Sequence, residues 1–313
     1  MANHDTVHQI SVEADPESVY RLIADVGGWP HVFGPTIHVD LLLEEGDAQL
    51  LRIWATAGDG VYDWTSRRTL DPQLRTIAFQ QIVSRPPVAA MSGQWIIDEA
   101  APGSRVTLTH RFSAIGDDPD AVAWIQKAVD RNSEAELAAL KRAAELGPER
   151  DQLHFSFSDA EMIRGSAAAV FEFIRRADAW PARLPHVNRV ELAEEPGGVQ
   201  RMEMDTCAPD GTVHTTSSIR LCFPDRRMIL YKQFQLPALM AGHTGRWEFE
   251  EDDDGTVFAR SWHTVTLDPN GIRTLLGPDV AVADARAMVR ASLGANSLST
   301  LRHAKVFVER GDD

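Results

Sequence analysis

Two stretches of this chain place a serine and an arginine two residues apart. Ser66 and Arg68 lie in Trp64-Thr65-Ser66-Arg67-Arg68-Thr69-Leu70, and Ser218 and Arg220 lie in Thr216-Ser217-Ser218-Ile219-Arg220-Leu221-Cys222. Alternate residues of a strand share a face, so Trp64, Ser66, Arg68 and Leu70 lie together, with Thr65, Arg67 and Thr69 opposite. If Trp64 and Leu70 face inward, a guanidinium stands on the concave side. An unpaired buried charge costs several kcal/mol. Arg68 and Arg220 therefore either act as cationic donors lining a pocket or bridge to a carboxylate such as Asp63 or Asp205.

Other candidates carry less specific signals. His186, His243 and His263 could act as acids or bases near neutral pH, and each could equally be a surface or satisfied histidine. Asn132 and Asn296 fall on the apolar stripes of two long helices, where a polar side chain either bonds backbone or lines a cavity. Trp29 and Trp180, each followed by proline, sit where a helix turns into a loop and read as lids or core plugs. Trp95 and Trp247 lie mid-strand and read as core. No Cys-x-x-Cys pair suggests a metal site, and no Gly-x-Gly-x-x-Gly, P-loop or nucleophile elbow is present, so no cofactor is expected.

The elements that must position these residues occur twice. Val19–Ile23 with Trp29-Pro30 is matched by Val170–Ile174 with Trp180-Pro181, every position 151 apart. Asp59-Gly60 matches Asp210-Gly211 at the same offset, and Arg68, Phe79 and Trp95 then match Arg220, Tyr231 and Trp247 at 152. Asn132-Ser133 matches Asn296-Ser297 at 164, so a dozen extra residues precede the last helix of the second copy. The boundary is expected at the helix stop Gly147-Pro148, giving domains 1–147 and 148–313. Within the first copy, a strand at 8–13 leads into a helix opened by Asp15-Pro16-Glu17. Alternating runs at 37–43, 49–56, 61–70, 74–83, 92–98 and 105–114 predict an antiparallel meander, and 119–146 a long helix with Val122, Ile125, Val129, Leu137, Leu140 and Ala144 on one face. This is an α+β plan whose economical packing is a curved sheet wrapped around the last helix, with an internal cavity.

Composition narrows the function classes. The 313 residues carry 31 Lys+Arg against 46 Asp+Glu, a net charge of −15, which disfavours nucleic acid and anionic membrane surfaces as partners. No run approaches a spanning helix, the N-terminus lacks the regions of a signal peptide, and two cysteines are too few for a disulfide framework. These features point to a soluble, cytoplasmic protein.

Each half resembles the polyketide aromatase/cyclases of the START-like, helix-grip (SRPBCC) superfamily, and the tandem looks like the di-domain aromatase/cyclases of bacterial type II polyketide synthases. The resemblance rests on the strand and helix ending in Trp29-Pro30, on Trp64-x-Ser66-x-Arg68, and on Asn132 in the last helix. It implies two tandem helix-grip domains acting, without a cofactor, on a poly-β-ketone tethered to an acyl carrier protein, alongside other synthase subunits. It further implies a ketoreduced chain, aldol closure of the first ring between carbons 7 and 12, and dehydration to an aromatic ring. Arg68 would polarise the ketone that becomes the alkoxide, Ser66 would hydrogen-bond the chain, and Trp29 and Trp64 would shape the cavity, with Arg220, Ser218 and Trp180 their second-copy counterparts. Thr36, Gln81, Trp95, Asn132, His186, Gln233 and Asn296 complete the candidate substrate-binding set. A fixed cationic donor suits an enolate or alkoxide, a shaped cavity holds one conformer, and arginine stays charged at any working pH.

The chain departs from single-domain relatives in three ways. Their loop tyrosine is replaced by Thr36 and Val187, their second pocket arginine falls near Gln81 and Gln233, and Trp64 becomes Thr216 in the second copy. The two pockets are therefore not expected to be equivalent. A non-catalytic lipid, quinone or polyketide carrier on the same fold is the alternative, with Arg68 and Arg220 ion-paired outside an apolar tunnel. Arg183 and Arg189, flanking His186, are candidates for a cationic patch that receives an acidic carrier protein.

Overall fold

The computed structural model of the chain describes residues 2–58, 60–207 and 211–311; Asp59 and Asp210 of the repeat lie outside them. It divides into two compact units, Met1–Arg150 and Asp151–Asp313. The division falls within a short helix (α4, Glu149–Leu153), just past the helix stop at Gly147-Pro148.

The first unit runs β1 (His4–Val12), α1 (Pro16–Ala24), α2 (Trp29–Val32), β2 (Thr36–Glu45), β3 (Ala48–Ala57), β4 (Gly60–Asp71), β5 (Thr76–Val83), β6 (Val88–Glu99), β7 (Ser104–Ala114) and α3 (Pro119–Glu145). The second repeats the plan as β8 (His154–Arg164), α5 (Ala167–Arg175), α6 (Trp180–Arg183), β9 (Val187–Glu195), β10 (Val199–Cys207), β11 (Val213–Phe223), β12 (Met228–Gln235), β13 (Met240–Glu251), β14 (Thr256–Leu267), α7 (Pro269–Leu275) and α8 (Val282–Arg310). Each sheet has seven antiparallel strands, in the orders β1-β7-β6-β5-β4-β3-β2 and β8-β14-β13-β12-β11-β10-β9. The meander and the long terminal helix thus follow the expected order.

Local chemistry explains the elements that frame the interior. Asp15 caps α1 by accepting from the Ser18 N–H at 2.9 Å, and Pro16 supplies a helix-ready first residue. In the second copy Ser166 caps α5 through the Ala169 N–H at 3.2 Å. Each helix lays an apolar face (Val19 and Ile23; Val170 and Ile174) into its unit's core. Val106, Leu108 and Leu140 are fully buried in the first core, each stabilising by roughly 1.5–3 kcal/mol.

The expected stripe of α3 is buried at Ile125, Val129, Leu137, Leu140 and Ala144. One position differs: Asn132 is exposed, and its neighbour Ser133 is the polar residue turned inward, at 1% exposure. Ser133 follows Val129 and precedes Leu137 by four residues each, so it stays in line, whereas Asn132 is rotated off by about 100°. The additional residues of the second copy form α7 and the loop after it. Among the described residues no helix is long and apolar enough to cross a membrane.

Candidate active site

Both arginines point inward and both are already held. Arg68 is 2% exposed. It donates from Nε to Gln49 Oε1 at 2.7 Å, from Nη1 to the Ile23 carbonyl at 2.9 Å, and from Nη2 to the Ala24 carbonyl. Arg220, 1% exposed, repeats this with Gln200 Oε1 at 2.7 Å and the carbonyls of Ile174 at 2.6 Å and Arg175 at 3.3 Å. Those carbonyls end α1 and α5, where helical partners run out and the helix dipole is negative. A tryptophan covers each cation: Trp29 lies 5.6 Å from the Arg68 guanidinium and Trp180 5.3 Å from that of Arg220. Trp29 Nε1 donates to Ile23 O at 3.0 Å and Trp180 Nε1 to Phe173 O at 3.3 Å, which fixes the rings as plugs of this clamp.

The carboxylate partner considered for the arginines is therefore not the one used. Asp63 binds Arg52 and Arg85, and Asp205 binds Arg189. Carboxylates stand behind the glutamines, where Gln49 donates to Glu44 and Gln200 to Glu194 at 2.6 Å, and Asp25 just past α1 also favours the Arg68 cation. Burial lowers the Arg68 pKa to about 10 and lowers that of Arg220, which leaves Arg68 cationic at neutral pH. Each guanidinium gives three hydrogen bonds to protein acceptors, of the five N–H groups it has.

In the second unit a cavity of about 510 Å³ opens between the sheet and α8. Its floor carries Arg220, Trp180 and Trp247; its walls carry Met202, Met204, Thr216 and Ser218 from β10 and β11, Tyr231 and Gln233 from β12, His243 and His263 from β13 and β14, and Val289, Leu293, Asn296, Ser297 and Thr300 from α8. Leu275 of α7 and Met288 of α8 line it while 57% and 51% exposed, so the extra segment of the second copy helps form the mouth. The volume is that of a small-molecule site, mostly apolar with a few convergent polar groups. Ser218 Oγ is buried in this wall without a hydrogen-bond partner.

The polar groups form a chain. His243 Nδ1 is 2.9 Å from Gln233 Oε1, and His243 Nε2 is 3.0 Å from His263 Nδ1. His263 Nε2 lies 2.7 Å from Ser297 Oγ and 3.1 Å from Ser261 Oγ, and Tyr231 Oη lies 3.2 Å from His263 Nδ1. Burial pushes the His263 pKa down to about 3, helped by the nearby Arg290 cation, and holds His243 well below the usual histidine range, helped by the neighbouring His263 ring. Both imidazoles are neutral at neutral pH. Burial also raises the Tyr231 phenol. Tyr231 lies against Gly245, where an added Cβ would come within 2.1 Å of the ring.

The first copy has the matching positions but not the chain. His110 and Ser133 stand where His263 and Ser297 do, at a longer 3.5 Å. Phe79 replaces Tyr231 and packs edge-on to His110 with centroids 5.4 Å apart, and Met91 replaces His243, its sulfur 3.7 Å from Gln81 Nε2. Burial lowers His110 to about 4 and, at the position of Thr300, raises Glu136 to about 7.

Of the candidate residues, Arg220, Ser218, Trp180, Gln233, Asn296, His243, His263 and Trp247 meet in the second cavity. His186 stands behind it, 3.5 Å from Thr300 Oγ1. In the first copy Ser66 Oγ donates to the Gln80 carbonyl at 3.1 Å, Thr36 and Trp95 are buried, and Trp64 packs on Val39, Leu51 and Ile53. Asn132, exposed, faces away from the interior. The expected cationic patch is not free: Arg189 binds Glu191, Glu203 and Asp205, and Arg183 stacks on Phe173 and Phe307. Tyr231, Ser297 and Thr300 were not singled out from the sequence, although aligning the two copies exposes the Phe79/Tyr231 difference.

A family model described as polyketide cyclase/dehydrase and lipid transport matches twice, over residues 3–145 and 154–296. The chain is 45% identical over 309 residues to the granaticin polyketide synthase bifunctional cyclase/dehydratase of Streptomyces violaceoruber, covering 98% of this chain and 95% of that protein. It is 44% identical to the actinorhodin polyketide synthase bifunctional cyclase/dehydratase of Streptomyces coelicolor, over 96% of each. Among solved structures, the di-domain ARO/CYC BexL from the BE-7585A biosynthetic pathway superposes with a TM-score of 0.86 at 48% identity, covering 98% of this chain and 99% of that one. The di-domain ARO/CYC StfQ from the steffimycin pathway gives 0.81 at 32% identity, covering 99% of each.

Proposed function

Because the chain belongs to the polyketide cyclase/dehydrase and lipid-transport family, carrying its domain twice, we propose that it is a bifunctional cyclase/dehydratase of a type II polyketide synthase. Its substrate is a ketoreduced poly-β-ketone on an acyl carrier protein, and its product the first ring, closed between carbons 7 and 12 and dehydrated. The second-copy cavity receives the chain, and the observation that carries this is the Ser218 hydroxyl, buried in its wall with no protein partner. A ketone oxygen entering the cavity would take that O–H, and the Arg220 cation below supplies a positive potential to the enolate and alkoxide of the aldol step. A methylene between two ketones is already acidic, so fixing one conformer against such a donor is most of the task. Arg68 and Ser66 hold the matching frame in the first copy, where the serine hydroxyl is engaged with Gln80.

The test is the product profile of a reconstituted minimal synthase plus ketoreductase, with and without the chain and with Thr216→Trp. That variant puts the first copy's Trp64 into the second cavity. Wild type should divert shunt products to one aromatised ring and the folded variant should not. A wild-type profile equal to that without the chain would favour a carrier role instead.

A further inference from the structure

With the Gln233 amide oriented as it is in the structure, the hydrogen bonds of the second cavity assign where its protons lie. Gln233 presents its carbonyl oxygen, so His243 carries a proton on Nδ1 and accepts at Nε2. His263 must then donate from Nδ1, and its Nε2 accepts from the Ser297 hydroxyl. The Tyr231 oxygen, 3.2 Å from the same Nδ1–H, is an acceptor there. Its own O–H therefore has no acceptor among the described residues, on a side chain that lines the cavity. Burial holds the proton on this phenol, and the N–H received by its oxygen stabilises the charge left behind when that proton moves to a substrate oxygen.

Resting on the cyclase/dehydratase reading, we propose that Tyr231 is the proton donor of the dehydration, that His263, His243 and Gln233 position it, and that water leaves in the second cavity and not the first. In the enol of the aldol adduct, the enol oxygen and the departing hydroxyl are 1,3-related and both reach one phenol. The C–O bond breaks as the Tyr231 proton passes to the leaving oxygen, forming water. The enol double bond shifts to form the new C=C, the enol C–O becomes a carbonyl, and the enol proton passes to Tyr231 Oη. The phenol is restored, and no outside acid, base or oxidant is consumed. Phe79 and Met91 deny the first copy this route.

The test is single-turnover dehydration by the full-length chain in the reconstituted synthase, resolving the cyclised hydroxy adduct from the aromatised product by mass. Tyr231→Phe should cyclise normally, lower aromatisation about 100-fold, and accumulate the adduct. His243→Met, which installs the first copy's residue, should lower kcat about 10-fold with KM unchanged, the split expected of a positioning residue. Aromatisation by folded Tyr231→Phe at the wild-type rate would overturn the proposal, as would its loss in Glu136→Gln with Tyr231→Phe unaffected. Absence of any cyclised product with wild type would instead remove the cyclase/dehydratase reading on which the proposal rests.

Discussion

The two copies keep the same arginine clamp and differ in what surrounds it. Gln49, Arg68 and Trp29 at the end of α1 are repeated by Gln200, Arg220 and Trp180 at the end of α5. The groups beyond the clamp diverge: Trp64, Phe79, Met91 and Glu136 stand opposite Thr216, Tyr231, His243 and Thr300. Replacing tryptophan with threonine opens space, and replacing phenylalanine and methionine with tyrosine and histidine supplies a hydrogen-bonded chain to line it. The arginine clamp retained in both copies is thus required by the fold, and the groups found in a single copy distinguish the chemistry of the two interiors.

The largest effect expected from this comparison is equal in the two halves. Arg68→Ala and Arg220→Ala each remove a buried cation and leave helix-end carbonyls and a glutamine without their donor. Each should cost its own domain about 3–5 kcal/mol. Domain-resolved hydrogen exchange on the full chain measures this; an unchanged domain would mean that its arginine is not structural.

Acid should separate the copies next. A histidine with a depressed folded pKa favours the fold above its unfolded pKa, and that contribution falls as pH drops from about 6.5 toward the folded value, by about 1.4 kcal/mol per pH unit per proton. In the second copy His263 (about 3) and His243 act together. In the first, His110 (about 4) is opposed by Glu136, raised to about 7, whose contribution is full below pH 4.5 and lost as pH rises through 7. Between pH 6.5 and 4.5 these two offset each other. Exchange protection corrected for intrinsic rates should therefore fall steeply in residues 151–311 and stay nearly level in 2–150, and parallel loss would contradict the assignment. Lys232, lowered to about 7 by burial where the first copy has Gln80, should add stability to the second copy as pH rises from 7 to 10.5.

Gly93→Ala and Gly245→Ala give a smaller, sharper contrast. Their new methyls meet Phe79 and Tyr231 respectively, and the former also meets the Thr109 carbonyl. Both should cost about 1–3 kcal/mol by overpacking, but only Gly245→Ala should also slow dehydration, by displacing the phenol. Smallest of all, Asn132→Ala should stay within about 0.5 kcal/mol of wild type with its products unchanged. Asn296→Ala should weaken chain binding by about 1 kcal/mol, readable as a higher KM.

Much of this was legible in the residues. The Trp29-Pro30 and Trp180-Pro181 pair revealed the duplication, turn clusters separated the strands, and alternation put Ser66 with Arg68 and Ser218 with Arg220 on the inner face. The partners of the arginines were not legible, because the carbonyls of Ile23, Ala24, Ile174 and Arg175 are backbone atoms without a sequence signature. Asn132 and Ser133 are hard to tell apart in the sequence, because one residue rotates a helix by about 100°. His243 and His263 are 20 residues apart in sequence and meet only through the pairing of β13 with β14, in which Gly245 faces His263.

The most direct test of the central claim is a crystal structure of the full chain with a pantetheine thioether carrying a stable poly-β-ketone mimic. We predict occupancy of the second cavity, with mimic oxygens within hydrogen-bonding distance of Ser218 Oγ and Tyr231 Oη. A mimic bound only in the first copy, beside Ser66 and Arg68, would contradict it.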